Sequence, residues 1–354
     1  MRKSVSMTNT NTNLNIKTQS VTADASEELH VPFLLKPAGK DYLWGGTRLR
    51  DDFSKDFDFD PLAETWECST HPDGQSLVAS GMYEGQYLKD VLESHPEFIG
   101  THPQMKDGLP VLIKFIDAKR DLSVQVHPTD EYAAEYENGS LGKTEMWYVV
   151  EATKDAHLVY GFRHDMSRED VAQSLKEESL ENYLQKIPVK KGDMFFIPAG
   201  QVHAICAGCL MAEIQESSNL TYRLYDYNRI DKTGKKRELH VEKALDVMNY
   251  NSSAVPRRPM RVIRFRKGIM IESLCHCKYF QVEKITVDTQ RCKELAWFKT
   301  RSNSFRVLLC VEGCGSIRWH GGGVDFFRGD CVFVPADSVD YCIHGEAKLL
   351  RVSC

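Results

Sequence analysis

The chain has 354 residues, of which 42% are hydrophobic and 27% charged, with a formal net charge of −5. That length can bury a large core and suits two domains, and the balance is ordinary for a soluble globular protein. No lysine/arginine run marks a nucleic-acid surface, and no apolar run approaches the roughly 20 residues of a membrane helix.

The N-terminus has two early charges but no apolar stretch behind them, so no secretory signal is expected. The 11 cysteines are odd in number, which argues for reduced cytoplasmic thiols rather than a disulfide framework. Cys206 and Cys209 form a C-x-x-C, and Cys275 and Cys277 a C-x-C. A structural zinc site built from both pairs is the competing arrangement. Half of each pair sits in apolar, strand-like sequence, which favours small buried cysteines instead.

Residues 1–30 are rich in Ser, Thr and Asn and cannot bury enough surface to offset ordering entropy. A disordered tail is expected there, with order beginning near Val31-Pro32-Phe33. Lys40–Gly46 reads as a strand or turn leading to a double-glycine bend, and Glu64–Ser69 as a strand. Gly85–Ser94 and His95–Ile99 read as short helices, and Leu109–Ala118 as an apolar strand interrupted by Lys114. Leu122–Val126 alternates with period two, which puts Gln125 and His127 together on the face opposite the valines. Pro128 cannot extend the ladder and should end that strand. A polar loop with Asn138-Gly139 and Gly142 leads to a strand over Thr144–Val150, opened by Lys143, Thr144 and Glu145.

Ser167–Gln185 carries helical spacing at Val171, Leu175, Leu180 and Leu184, with Ser167 as N-cap and Asp170 in the first turn. Val189–Pro198 reads as a turn and a strand, and Ala199–Ala204 as a turn into a strand carrying His203. Gln215–Arg229 is rich in strand formers, and Glu238–Met248 should be a short helix. Asn249–Arg258 looks like a linker, and everything from Val262 onward is strand-like.

The chain repeats itself. Lys191–Ala199 and Arg328–Ala336 both read basic-Gly-Asp, four mostly apolar residues, then Pro-Ala. Gly-Asp suits a hairpin bend and Pro-Ala a sharp exit, so one β-barrel module is used twice. The copies differ where chemistry is concerned. His203 lies 11 residues after Gly192, whereas Asp340 holds that place after Gly329. The second copy also lacks a Gln-x-His strand and a matching Thr-Glu, so a metal is expected in the first module and not the second.

His127, Glu145 and His203 are the ligand types zinc accepts, at about 2.0–2.2 Å. They come from three strand ends, which a small barrel can bring to one interior point. Gln125 could add an amide oxygen. A His-Glu-His set with an open position is the pattern of a catalytic metal. Iron would also accept it, which leaves an iron-dependent oxygenase as a rival.

QVHP, KTEMWY, IPAGQVHAI and EIQESSNLTYRLYDYNR, in that order, resemble the type I mannose-6-phosphate isomerases in their short bacterial form. The resemblance extends from about Phe33, through WGG at Trp44–Gly46 and ETWE at Glu64–Glu67, to the C-terminus. It implies a mainly β bicupin fold, two jelly-roll modules with a few helices around the first. Residues 31–253 would be the metal-binding domain and 254–354 a metal-free one. It implies one zinc per chain on His127, Glu145 and His203, with Gln125 as a fourth ligand in many relatives. Arg223, Lys143 and Lys114 would line the active site, and the substrate would be a small sugar phosphate. The plainer alternatives are charge balance beside Glu145 for Lys143, and an ion pair with Asp226 for Arg223. Relatives often carry an aspartate where this chain has Asn219, which leaves room for a non-catalytic sugar-phosphate-binding cupin.

Overall fold

The computed structural model describes residues 30–103, 108–230, 234–253 and 262–354. The chain is mainly β and forms three antiparallel sheets of six, five and ten strands. The six-stranded and five-stranded sheets face each other as a sandwich. Trp147, Val149 and Met211 from the first meet Leu158, Ile187 and Ile205 from the second in one buried cluster. The ten-stranded sheet holds the second module and wraps its own apolar interior, which includes Leu308, Ile317, Val332 and Ile343. The cupin architecture is present, although backbone pairing closes neither module into a continuous barrel.

The six-stranded sheet is buried on both faces, and its sequence shows why. Along Glu145–Ala152, Met146, Tyr148 and Val150 pack toward the second module, whereas Trp147 and Val149 pack toward the five-stranded sheet. Period-two alternation therefore reads as a continuous apolar run, because both faces need apolar cover. The large cluster between the modules draws Phe115, Val150 and Ile214 from one side and Val307, Leu309 and Phe333 from the other. The strand Phe33–Lys36 crosses over and pairs with Cys331–Val334 at the edge of the second module. The expected tail falls almost entirely outside the described residues, as do residues 254–258 of the expected linker.

The repeat takes the same shape twice. Met194–Ile197 pairs with Glu145–Tyr148, and Cys331–Val334 pairs with Arg306–Leu309. Gly192 and Gly329 both have left-handed backbone, with φ of 87° and 97°, which side chains disfavour. In each turn the aspartate accepts a hydrogen bond from the N–H three residues earlier: Asp193 from Lys190 at 3.0 Å, Asp330 from Phe327 at 2.8 Å.

One expected element is shorter than its spacing suggested. The helix covers Arg168–Lys176, started by a capping box between Ser167 and Asp170. Glu178 then adopts φ 55°, and Leu184–Pro188 becomes a strand paired with His157–Phe162. Leu184 satisfies the helical spacing on paper, but an open sheet edge claims it. Most other expected elements fall within a few residues of their bounds, but Asp130–Tyr136, in the stretch expected as a polar loop, forms a helix capped by Thr129, and Arg48–Asp51 forms a short unexpected one.

Candidate metal centre and active site

Three short strands of the five-stranded sheet build one polar wall. In Val124–Val126 the valines pack outward with the helices, so Gln125, and His127 just beyond the strand, look into the sandwich. In His203–Ile205, Ala204 packs outward, so His203 looks inward. In Tyr222–Tyr225, Tyr222 and Leu224 pack outward, so Arg223 looks inward. Register then aligns them: Gln125 lies opposite His203 on one side and Arg223 on the other. The facing sheet contributes Glu145, Glu213 and Lys114 from its inner face, each opposite or beside a core residue.

The three expected metal residues converge. His127, Glu145 and His203 are buried and offer ligand atoms that lie within 4.8 Å of one another. His203 Nε2 is 3.2 Å from Glu145 Oε1, and His127 Nε2 is 3.6 Å from Glu145 Oε2. Both rings are held by their other nitrogen. His127 Nδ1 donates to the Leu220 carbonyl at 3.0 Å, and His203 Nδ1 to the Gln201 carbonyl at 2.7 Å. That fixes one tautomer for both and turns both Nε2 lone pairs toward the same point. Burial holds both imidazoles neutral: His127 falls well below its ordinary value, and His203 to about 4. His127 Nε2 and Glu145 Oε1 are buried without a hydrogen-bond partner, and Glu145 Oε2 faces only the Lys143 ammonium at 3.0 Å besides His127. Leaving such atoms unpaired is costly, and a cation at their common point would satisfy them together. The residues therefore fit a metal ion. Gln125 places its side-chain amide 3.3 Å from His203 Nε2, and a 180° turn of that amide would present its oxygen instead.

Beside this point lies a cavity of about 210 Å³, lined by Gln125, Lys143, Lys114, Glu213, Arg223 and Asn219 among others. Lys143 sits 3.0 Å from Glu145 and 3.8 Å from Glu213. Burial alone would lower its pKa, but the two carboxylates hold it above the usual lysine value. Lys114 lies 3.3 Å from Glu213 and 3.8 Å from Glu64, with its ammonium over the Trp66 ring. Burial works against ionised Glu213, but Lys143 and Lys114 hold it low.

Arg223 does not pair with Asp226. Arg229 and Arg237 take that carboxylate, while Arg223 Nη1 donates to the Glu238 carbonyl at 2.7 Å. Arg223 Nε is buried with no partner, so the guanidinium keeps a free donor at the cavity. Asn219 donates to Asp73 at 2.8 Å. Glu213 was missed by sequence reasoning. Its one signal is an acid set among the apolar residues Leu210–Ile214 of the strand Cys209–Glu216. The cysteine alternative is not assembled: among the described residues the only group of three or more candidate ligands is His127, Glu145 and His203. The 11 cysteines are free.

A family model for the catalytic domain of type I phosphomannose isomerase matches residues 33–154, and one for the cupin domain of mannose-6-phosphate isomerase matches 270–354. A mannose-6-phosphate isomerase of Bacillus subtilis is 36% identical over 320 residues, covering 90% of this chain and 98% of that protein. The chain belongs to the type I mannose-6-phosphate isomerases. A mannose-6-phosphate isomerase of Streptococcus mutans is 41% identical over 223 residues, 63% of this chain and 69% of that protein. The crystal structure of a Bacillus subtilis mannose 6-phosphate isomerase superposes with a TM-score of 0.83 at 34% identity, covering 92% of this chain and 99% of that one. Like other members of the family, the chain is an isomerase. Among the described residues no helix is long and apolar enough to cross a membrane.

Proposed function

We propose that this isomerase interconverts mannose 6-phosphate and fructose 6-phosphate with one Zn(II) held by His127, Glu145 and His203, and by Gln125 once its amide is turned. The observation that carries the metal is the convergence of His127, Glu145 and His203 on one buried point, where His127 Nε2 and Glu145 Oε1 have no hydrogen-bond partner. Neutral imidazoles and a carboxylate suit zinc. When bound, the ion supplies positive charge in a shielded site, where charge is worth far more than in water.

The reaction moves a proton between C2 and C1 through a cis-enediolate, whose negative charge must be stabilised. Lys143, held between Glu145 and Glu213, serves as a cation beside the sugar oxygens. Lys114 is the second fixed cation and keeps Glu213 ionised. Arg223 offers its unpartnered Nε from the cavity wall, and the planar fork of guanidinium donors suits a phosphate oxygen. The small, half-enclosed cavity limits water around the carbon acid.

A coupled assay from mannose 6-phosphate to fructose 6-phosphate, on purified protein with and without chelator, tests this reading. Activity should vanish on chelation and return with zinc. Full activity in metal-free protein would sink the zinc assignment, and tight substrate binding without turnover would favour the non-catalytic cupin.

A further inference from the structure

Lys143 is delivered to the site by the loop that follows the helix Asp130–Tyr136, whose exposed stretch 138–141 leads directly into buried Lys143 and Thr144. Leu141 is 47% exposed, and a cavity of about 580 Å³ lies on the rear side, lined by Leu141, Asp130, Glu216 and Tyr279 among others. The end of the loop is held mainly by polar links. Gly142 N–H donates to Asp130 Oδ1 at 3.0 Å, and Lys143 N–H to the Pro128 carbonyl at 3.1 Å. Thr144 N–H donates to Glu216 Oε1 at 2.6 Å, and Ser218 Oγ donates to the Leu141 carbonyl at 3.0 Å. Gly142 is needed for this closeness, because a Cβ there would lie 2.5 Å from the Asp130 nitrogen.

The other oxygen of Asp130 is engaged from the second module. Tyr279 donates to Asp130 Oδ2 at 2.9 Å, with Lys278 3.5 Å away. Both sit in the turn between the strands Ile269–His276 and Gln281–Asp288. Asp130 thus joins the second module to the Gly142 amide, one residue before the active-site lysine.

We infer that Tyr279 is a positioning residue: acting through Asp130, it lets the second module brace Gly142–Thr144 and so set the Lys143 ammonium for turnover. The inference rests on the role given to Lys143 above. Burial works against ionised Asp130, yet the bonds from Tyr279 and Gly142 hold its carboxyl below the usual range, as a carboxylate that accepts on both oxygens should be.

The test uses the full chain and Tyr279→Phe, which removes one hydroxyl. Amide hydrogen exchange should rise at least about tenfold across residues 139–144, while Glu145–Ala152 keeps its protection. In the zinc-loaded protein kcat should fall about tenfold, with KM and bound metal unchanged, as misplacement of a catalytic group predicts. Asp130→Ala should lose more, and adding Tyr279→Phe to it should cost nothing further. Unchanged exchange in Tyr279→Phe overturns the brace, and faster exchange with wild-type kcat overturns its part in turnover. If wild-type protein isomerises nothing, the parent reading fails, and the exchange result still decides the brace.

Discussion

The two modules share a hairpin, its left-handed glycine and its aspartate-locked turn, yet they fill their interiors differently. In the first, the strand ends around the shared hairpin turn Glu145, His203, Gln125 and Arg223 inward. In the second, Leu308, Ile317, Val332 and Ile343 occupy the interior, and Asp340, at the place of His203, is exposed to solvent. The scaffold supplies positions, and a few inward side chains decide between chemistry and stability. A polar interior is expensive to desolvate, so the first module needs a satisfied network and a bound cation. The second needs only close packing.

Three substitutions probe that division, beginning with the largest effect. His203→Asp gives the first module the residue its twin carries. It should remove bound metal, read by elemental analysis, and lower kcat/KM at least about a thousandfold, or about 4 kcal/mol in the barrier. Retained metal and turnover would show that the two interiors do not differ as argued. Leu308→Ala should do the opposite. It leaves a cavity in the second module and should cost about 3 kcal/mol in denaturant unfolding, with kcat unchanged. Arg223→Ala should keep metal and fold but lower kcat/KM about a hundredfold, the loss expected when one fixed donor to developing or phosphate charge is removed. Joint loss of metal and folding would instead make Arg223 structural.

Much of this contrast was legible before any coordinates. Period two alone put Gln125 and His127 on one face, and the core confirms the reason: Val124 and Val126 face the other way. The repeat placed His203 at the exit of its hairpin and nothing equivalent after Gly329. What stayed hidden depends on long-range pairing. Glu213 meets Lys143 and Lys114 only because Cys209–Glu216 lies between Val111–Asp117 and Glu145–Ala152 in one register. Nothing local encodes that register. Arg223 takes a backbone carbonyl from Glu238, while two arginines closer to Asp226 in the fold claim its carboxylate. The excess helix at Leu184–Gln185 has the same origin, since an unpaired sheet edge outbids a weak helical spacing. So does the crossing of Phe33–Lys36 into the second module's sheet.

The smallest effect concerns the seam between the modules, where Glu216 meets Asp130, Thr144 and Tyr279. Burial first, and the Asp130 charge second, push the Glu216 carboxyl from 4.5 up to about 8. The folded protein therefore holds this proton more tightly than the unfolded chain does. The resulting stabilisation is complete below about pH 4.5, shrinks as pH rises, and is gone once pH passes about 8. Above that, two carboxylates face each other behind the loop that carries Lys143. Glu216→Gln mimics the protonated acid. Its carbonyl still accepts from Thr144 N–H, and its amide can donate toward Asp130. Between pH 6 and pH 9 the variant should lose less Tm than the wild type, by about 2 °C. Parallel Tm curves would mean that the seam carries no shared proton. Curves that separate toward pH 9, with the variant the higher, would localise part of the fold's pH sensitivity to the contact between its two modules.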